Sequence, residues 1–324
     1  MKHRLDLFGK VSPGTFITGG SGGLGKAIAK QLAARGAHIT IFARRPGPLE
    51  DAKKEILAVC ASSEQEVVAV AVDLADAVQV LSPLFSRSSK DLHGSVDQAF
   101  QVQPRIPDLL YCTAGGNHAE NGFFVDISAA ALESCMRNNY FSSAFAAKSA
   151  LAMWLKDDKE WQHGRNEEQR KRKIIFVSSA AAFACVPGSG AYSLIDASSV
   201  FKADFVSPGF IEEQKTKTPL TKRIQGVDRP LDQLQSRFPS SDKVAKLTIA
   251  AVDRGEFIIC ADSLAASALF TAMSGPSPKR GWGIADALFS VIVTWFAWPY
   301  LRWKWEGMCQ DDGVQTGVVS KVVT

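Results

Sequence analysis

An α/β chain built on a doubly wound parallel sheet is the fold this sequence predicts, and three observations predict it. Short apolar runs alternate with amphipathic stretches at helical spacing from Gly14 to Val177. The glycine cluster Thr18-Gly19-Gly20-Ser21-Gly22-Gly23-Leu24-Gly25 stands at the first strand-to-helix junction. With 324 residues, 46% of them hydrophobic, the chain is long enough for one large core plus additions.

The elements follow in order. Gly14-Thr15-Phe16-Ile17 reads as the first strand, and Leu24 to Arg35 as a helix with Ile28, Ala29, Leu32 and Ala33 on one face. His38 to Phe42 is a second strand and Pro48 to Val59 a second helix. Val67 to Val72 is a third strand, followed by a helix over Ala75 to Ser86. Pro107 to Cys112 is the fourth strand, Ser128 to Leu155 a long helix of the kind that packs across a sheet, and Lys173 to Val177 the fifth strand. Repeated β-α units of this kind imply a Rossmann-like parallel sheet that takes ligands at the carboxyl ends of its strands.

The glycine cluster fits a phosphate cradle. Glycines permit the sharp turn and close backbone approach, and the helix start presents N–H groups and a positive dipole end to an anion. Gly19, Ser21, Gly23, Leu24 and Gly25 are the loop positions assigned to the cofactor. The second strand ends in Arg44-Arg45, where an acidic residue would suit a free ribose; arginine suits a 2′-phosphate, which points to NADPH. Arg44 is the better candidate, and Arg45 reads equally as solvated. Asp73 and Leu74 fit either an adenine edge or the cap of the next helix. Ala114 and Gly115 supply small residues where a nicotinamide-side ribose would lie.

Composition excludes several classes. The net charge of +4 is small and dispersed, so no nucleic-acid footprint is expected. The dense basic run Arg170 to Lys173 reads as a solvated loop. Six cysteines without paired spacing read as reduced, buried thiols, and five isolated histidines offer no metal site. No secretory signal opens the chain. Gly283 to Leu301 carries one charge, Asp286, and is flanked by tryptophans, Tyr300 and basic residues, which favours membrane contact over a buried helix. The organisation expected is a dinucleotide-binding domain over 1–265, a membrane-associated region over 266–306 and a polar tail over 307–324.

These residues together resemble the short-chain dehydrogenase/reductase superfamily. Thr18, Gly19, Gly23 and Gly25 match its TGxxxGxG pattern, while Cys112-Thr113-Ala114-Gly115 keeps only the last two positions of NNAG. Asn139 matches the catalytic asparagine of the long helix, and Ser179 precedes Tyr192 by thirteen residues, the spacing of the family's serine and tyrosine. Within the superfamily the chain is most similar to the fungal 3-ketodihydrosphingosine reductases, through TGGSGGLG, Ser207-Pro208-Gly209-Phe210 and the basic-flanked apolar tail. The resemblance implies reduction of 3-ketosphinganine, a long-chain sphingoid ketone, to sphinganine. It places the enzyme at the endoplasmic reticulum membrane with its active site facing the cytosol. In the family, Tyr192 would donate the proton, Ser179 hold the carbonyl and Asn139 anchor a water.

One departure touches the chemistry. Where the family has a lysine four residues after the tyrosine, this chain has Asp196. A tyrosine hydroxyl, with a reference pKa of about 10, needs nearby positive charge to work near neutrality, and an aspartate acts in the opposite sense. The interval from Tyr192 to Pro208 is short by about a helix of 10–14 residues, so a helix and a strand are expected to be missing between 193 and 207, as after an internal deletion. Lys202 on a continuous helix would lie about 15 Å along the axis from Tyr192, too far to substitute. The family's partner subunit packs on the missing helix, which places homodimer formation in doubt. Two alternatives therefore stand beside the reductase: a nucleotide-binding pseudoenzyme or truncated product, and a reductase of another lipid ketone such as a steroid or retinoid.

Overall fold

The computed structural model describes residues 13–76, 106–116, 127–162, 172–179, 200–202, 227–230, 239–256, 259–260 and 284–315, with a few single positions between 219 and 233. The first half follows the β-α alternation: β1 (Gly14–Thr18), α1 (Gly23–Ala33), β2 (His38–Ala43), α2 (Pro46–Leu57), β3 (Val67–Ala71) and β4 (Leu109–Cys112). Next come α3 (Ala129–Cys135), a π-helical turn (Met136–Phe141), α4 (Ser142–Gln162), β5 (Lys173–Phe176), β6 (Ser178–Ser179) and β7 (Val200–Lys202). The last elements are α5 (Ser241–Asp253), β8 (Ile259–Cys260), α6 (Ile284–Ile292), a second π-helical turn (Val293–Ala297) and α7 (Trp298–Gln315).

Five strands form a parallel sheet of order β3-β2-β1-β4-β5. The chain winds outward one way from β1 and the other way from β4, so the crevice opens at the carboxyl ends of this central pair. Both faces are covered, so every residue of β1 and β4 is buried, and β4 reads as an unbroken apolar run. Period-two alternation sorts them: Ile17, Ile39, Ile41, Leu109 and Tyr111 pack with α1 and α5, whereas Phe16, Phe42, Leu110 and Cys112 pack with Ala146, Ala150 and Trp154 of α4.

Three differences from the sequence expectation matter. The long helix continues to Gln162 and contains a π-helical turn, which the apolar periodicity does not reveal. The interval read as lacking a strand holds β7, parallel to β6 and β8 in a three-stranded sheet. Lys202 therefore lies on a strand, paired Cα to Cα with Ser179, and not on a helix running on from Tyr192. The rest of the interval read as lacking a helix, 193–199 and 203–207, lies outside the described residues, as does most of Ala75 to Ser86.

The basic run is not simply solvated either. Arg170 and Lys171 lie outside the described residues. The Arg172 side chain is only 10% exposed and bonds Asp157 and Asp158. It also donates to the Trp154 carbonyl and lies over that indole ring. Lys173 donates to the Val252 carbonyl at 2.8 Å, tying β5 to the end of α5.

Burial also isolates two hydroxyls. Tyr111 is fully enclosed and its hydroxyl has no hydrogen-bond partner among the described residues; the same holds for the Thr15 hydroxyl. Burial, aided by the Asp253 charge, pushes the Tyr111 pKa far upward. Tyr111→Phe is expected to raise stability by about 1 kcal/mol, because an unpartnered buried hydroxyl carries its desolvation penalty without return. Calorimetric melting checks this; a midpoint unchanged or lowered would mean that the hydroxyl is partnered.

At the carboxyl end, no helix among the described residues is long and apolar enough to cross a membrane. α7 carries helical structure to Gln315, into the stretch read as a polar tail.

Candidate active site

The glycine loop occupies the crevice. Gly19 and Gly23 adopt positive φ, 67° and 51°, which turns the chain from β1 into α1. A Cβ on Gly19 would meet Ala114 Cα at 2.9 Å, and one on Gly25 would meet Thr113 Oγ1 at 2.5 Å and the Gly19 oxygen at 2.6 Å. Helix and turn thus touch through backbone, with no space for side chains. α1 begins at Gly22 with no side-chain cap and no acidic residue in its first turn. Its leading N–H groups and dipole end are left for an anion.

Two threonines staple the loop to the turn after β4. Thr18 Oγ1 accepts from the N–H groups of Thr113 and Ala114, at 2.9 and 3.0 Å, and Thr113 Oγ1 donates to the Thr18 carbonyl. The Thr113 hydroxyl thus helps to fix the turn. Beneath it, burial pushes the Cys112 thiol up, so it stays a neutral packing group. Among the described residues, Cys60, Cys112, Cys135 and Cys260 form no disulfide.

All ten positions assigned to the cofactor, Gly19, Ser21, Gly23, Leu24, Gly25, Arg44, Asp73, Leu74, Ala114 and Gly115, line one cavity of about 860 Å³. Arg44 leaves the end of β2 exposed and donates to Asn138 Oδ1 at 3.2 Å. Arg45 caps the start of α2 in extended backbone, also exposed. Asp73 Oδ1 accepts from the Ala75 N–H at 3.0 Å, a local turn in the cavity wall. Leu74 is buried.

Asn139 belongs to the π-helical turn, a feature that recurs at functional sites. Its Oδ1 accepts from the Gly116 N–H at 2.8 Å, while Nδ2 donates to the carbonyls of Gly116 and Cys135, both at 3.0 Å. The side chain thereby clamps the turn after β4 to the long helix. Ser179 is buried at the end of β6. Because the Val177 N–H bonds the Cys112 carbonyl, Ser179 stands at the same end of the sheet as the glycine loop and the clamped turn. Tyr192 and Asp196 lie outside the described residues.

The sequence by itself assigns no role to Asn138, Ser134 or the threonine staple. Its one signal for the staple is a threonine at the end of β1 and another directly after β4, and nothing in it pairs Arg44 with a residue 94 positions away.

The short chain dehydrogenase family model matches residues 14–198. A PIGF/3-ketodihydrosphingosine reductase fusion protein of Schizosaccharomyces pombe is 26% identical over 321 residues, covering 93% of this chain and 57% of that protein. A 3-ketodihydrosphingosine reductase of Aspergillus fumigatus is 28% identical over 279 residues, covering 75% of this chain and 70% of the relative. The chain thus spans between 57% and 70% of the length of these relatives. Among solved structures, a short-chain dehydrogenase from Sphingobium yanoikuyae in complex with NADPH superposes with a TM-score of 0.56 at 18% identity, over 76% of this chain and 87% of that one. That likeness establishes the fold.

Proposed function

Since the chain belongs to the short-chain dehydrogenase family, we propose that it is an NADPH-dependent oxidoreductase acting on the ketone of a long-chain sphingoid base, 3-ketosphinganine. The observation that carries the cofactor assignment is the loop geometry: a cradle that a Cβ would fill, at an uncapped helix start, with Arg44 on its rim. The substrate assignment draws on the relatives named as 3-ketodihydrosphingosine reductases.

The residues present fit the dinucleotide. The Gly19–Gly25 loop would hold the pyrophosphate, Asp73 and Leu74 the adenine side, Arg44 the 2′-phosphate, and Ala114 and Gly115 the nicotinamide ribose. When bound, the reduced nicotinamide supplies a hydride to the ketone carbon. Ser179 holds the carbonyl oxygen by hydrogen bonding, and Tyr192 gives that oxygen its proton. Asn139 keeps the turn after β4 fixed while this happens.

Charge at the tyrosine decides whether the chain turns over. Asp196 in the lysine's place favours a second reading, a dinucleotide-binding pseudoenzyme. Titrating NADPH by fluorescence and assaying 3-ketosphinganine reduction separately discriminates the two: binding with turnover supports the reductase, and binding without it supports the pseudoenzyme. No binding would remove both. Arg44→Ala is expected to weaken NADPH by about ten- to a hundredfold and to leave NADH little changed, the scale of hydrogen bonds to a charged phosphate. Equal losses for both dinucleotides would exclude Arg44 from the 2′-phosphate.

A site at the endoplasmic reticulum membrane, facing the cytosol, completes the proposal. Large apolar side chains stand exposed along the C-terminal helices, at Ile284, Leu288, Val291, Ile292, Trp295, Phe296, Tyr300 and Trp303. Trp295 is 73% exposed. An apolar and aromatic face of this kind fits a helix lying in the headgroup region better than one immersed across the bilayer. Flotation with vesicles checks it: Trp295→Glu with Phe296→Glu is expected to release the protein into the aqueous fraction.

A further inference from the structure

We propose that Asn138, itself oriented by Ser134, is the positioning residue that presents Arg44 to a 2′-phosphate. The inference rests on the NADPH reading of the cavity and adds to it the residues that set its selectivity.

The two ends of the Asn138 amide have different partners. Nδ2 donates to Ser134 Oγ at 3.1 Å, one helical turn earlier, and Oδ1 accepts from Arg44 Nη1 at 3.2 Å. Reversing the amide would set its N–H group against the guanidinium, donor against donor, so Arg44 selects which end faces it, while the serine hydroxyl, able to donate or accept, holds the side chain in place. The backbone is fixed as well, since Ser142 Oγ donates to the Asn138 carbonyl at 2.7 Å. Ser134, Asn138 and Arg44 all line the cavity that contains the glycine loop.

Asn138 shares the π-helical turn with Asn139. Asn138 and Asn139 are consecutive, yet Asn139 bonds Gly116 on the turn after β4 while Asn138 reaches Arg44 at the end of β2. One turn of helix therefore secures two walls of the cavity. Arg44 is otherwise an exposed, long side chain with many rotamers, and holding one of its N–H groups leaves four for a ligand. A neutral amide does this without adding a negative charge that would repel a phosphate; a carboxylate at the same place would hold Arg44 but oppose the anion.

The test compares 2′,5′-ADP with 5′-ADP, probes that differ in the 2′-phosphate, by calorimetry on the full chain. The wild type is expected to prefer 2′,5′-ADP. Asn138→Ala should cut that preference by about three- to tenfold, near the worth of one ordinary hydrogen bond, because the loss acts on the phosphate only through Arg44. Ser134→Ala, which leaves Asn138 in place, should cut it less and decides the matter if Asn138→Ala fails to fold. In an Arg44→Ala background neither substitution should matter further, because both act through Arg44. A preference that survives both single variants overturns the assignment, as does an equal effect of Asn138→Ala with and without Arg44. A wild type that binds both probes equally overturns it together with the NADPH reading, so the two failures are distinguishable.

Discussion

Gly25→Val is expected to abolish dinucleotide binding, with a loss of at least about a hundredfold, the penalty for a displacement of order 1 Å at a site built on close contact. A Cβ there meets Thr113 Oγ1 at 2.5 Å and the Gly19 carbonyl at 2.6 Å. Neither can retreat cheaply. Thr113 Oγ1 is bonded to the Thr18 carbonyl, and Gly19 is itself within 2.9 Å of Ala114 by the same measure. The first turn of α1 must then move off the turn after β4, carrying its N–H groups away from the phosphates. Gly22→Ala is the matched control for folding: nothing lies within 4 Å of a Cβ there, and its φ of −170° suits any residue. Its melting point should stay near that of the wild type, within the roughly 0.5 kcal/mol typical of neutral surface changes. Equal NADPH titration curves for Gly25→Val and wild type would refute the account of the cradle.

Asn139→Asp should be the most destabilising single-atom exchange among the described site residues. It replaces Nδ2, which donates to the Gly116 and Cys135 carbonyls, by an oxygen that opposes both. Only the contact from the Gly116 N–H survives. Two partly buried carbonyls lose their donor and a charge is brought beside them, for a combined cost of about 2–4 kcal/mol. Thermal melting measures the loss. The sign with pH follows: the carboxyl is forced above its usual range, so the variant recovers stability as pH falls and the group protonates into a donor. A flat stability profile between pH 4 and 7 would show that Asn139 does not hold the turn.

The cradle and the central sheet are legible in the amino-acid sequence. Glycines that must sit against backbone, and strands buried on both faces, write themselves as a cluster and as apolar runs, because the constraint falls on each residue locally. The cavity's outer pieces are not legible in this way. Arg44 and Asn138 are polar residues on separate elements, and their meeting depends on how β2 and the long helix are placed across the sheet. Arg172 misleads for a related reason: in a run of four basic residues its neighbours argue for water, while Asp157, Asp158 and the Trp154 ring claim its guanidinium. β7 escapes notice because counting residues between Tyr192 and Pro208 registers a missing length, whereas a three-residue strand needs little of it.

The brace at Arg172 has a practical consequence. It fastens the last strand of the central five-stranded sheet to the helix before it, so an insertion between 163 and 171 adds length between two elements already tied to each other. Closing a longer segment between fixed ends adds only about 0.6 kcal/mol for each doubling of its length. A fluorescent reporter domain spliced there should leave the nucleotide pocket untouched, giving a handle for watching this chain inside a cell.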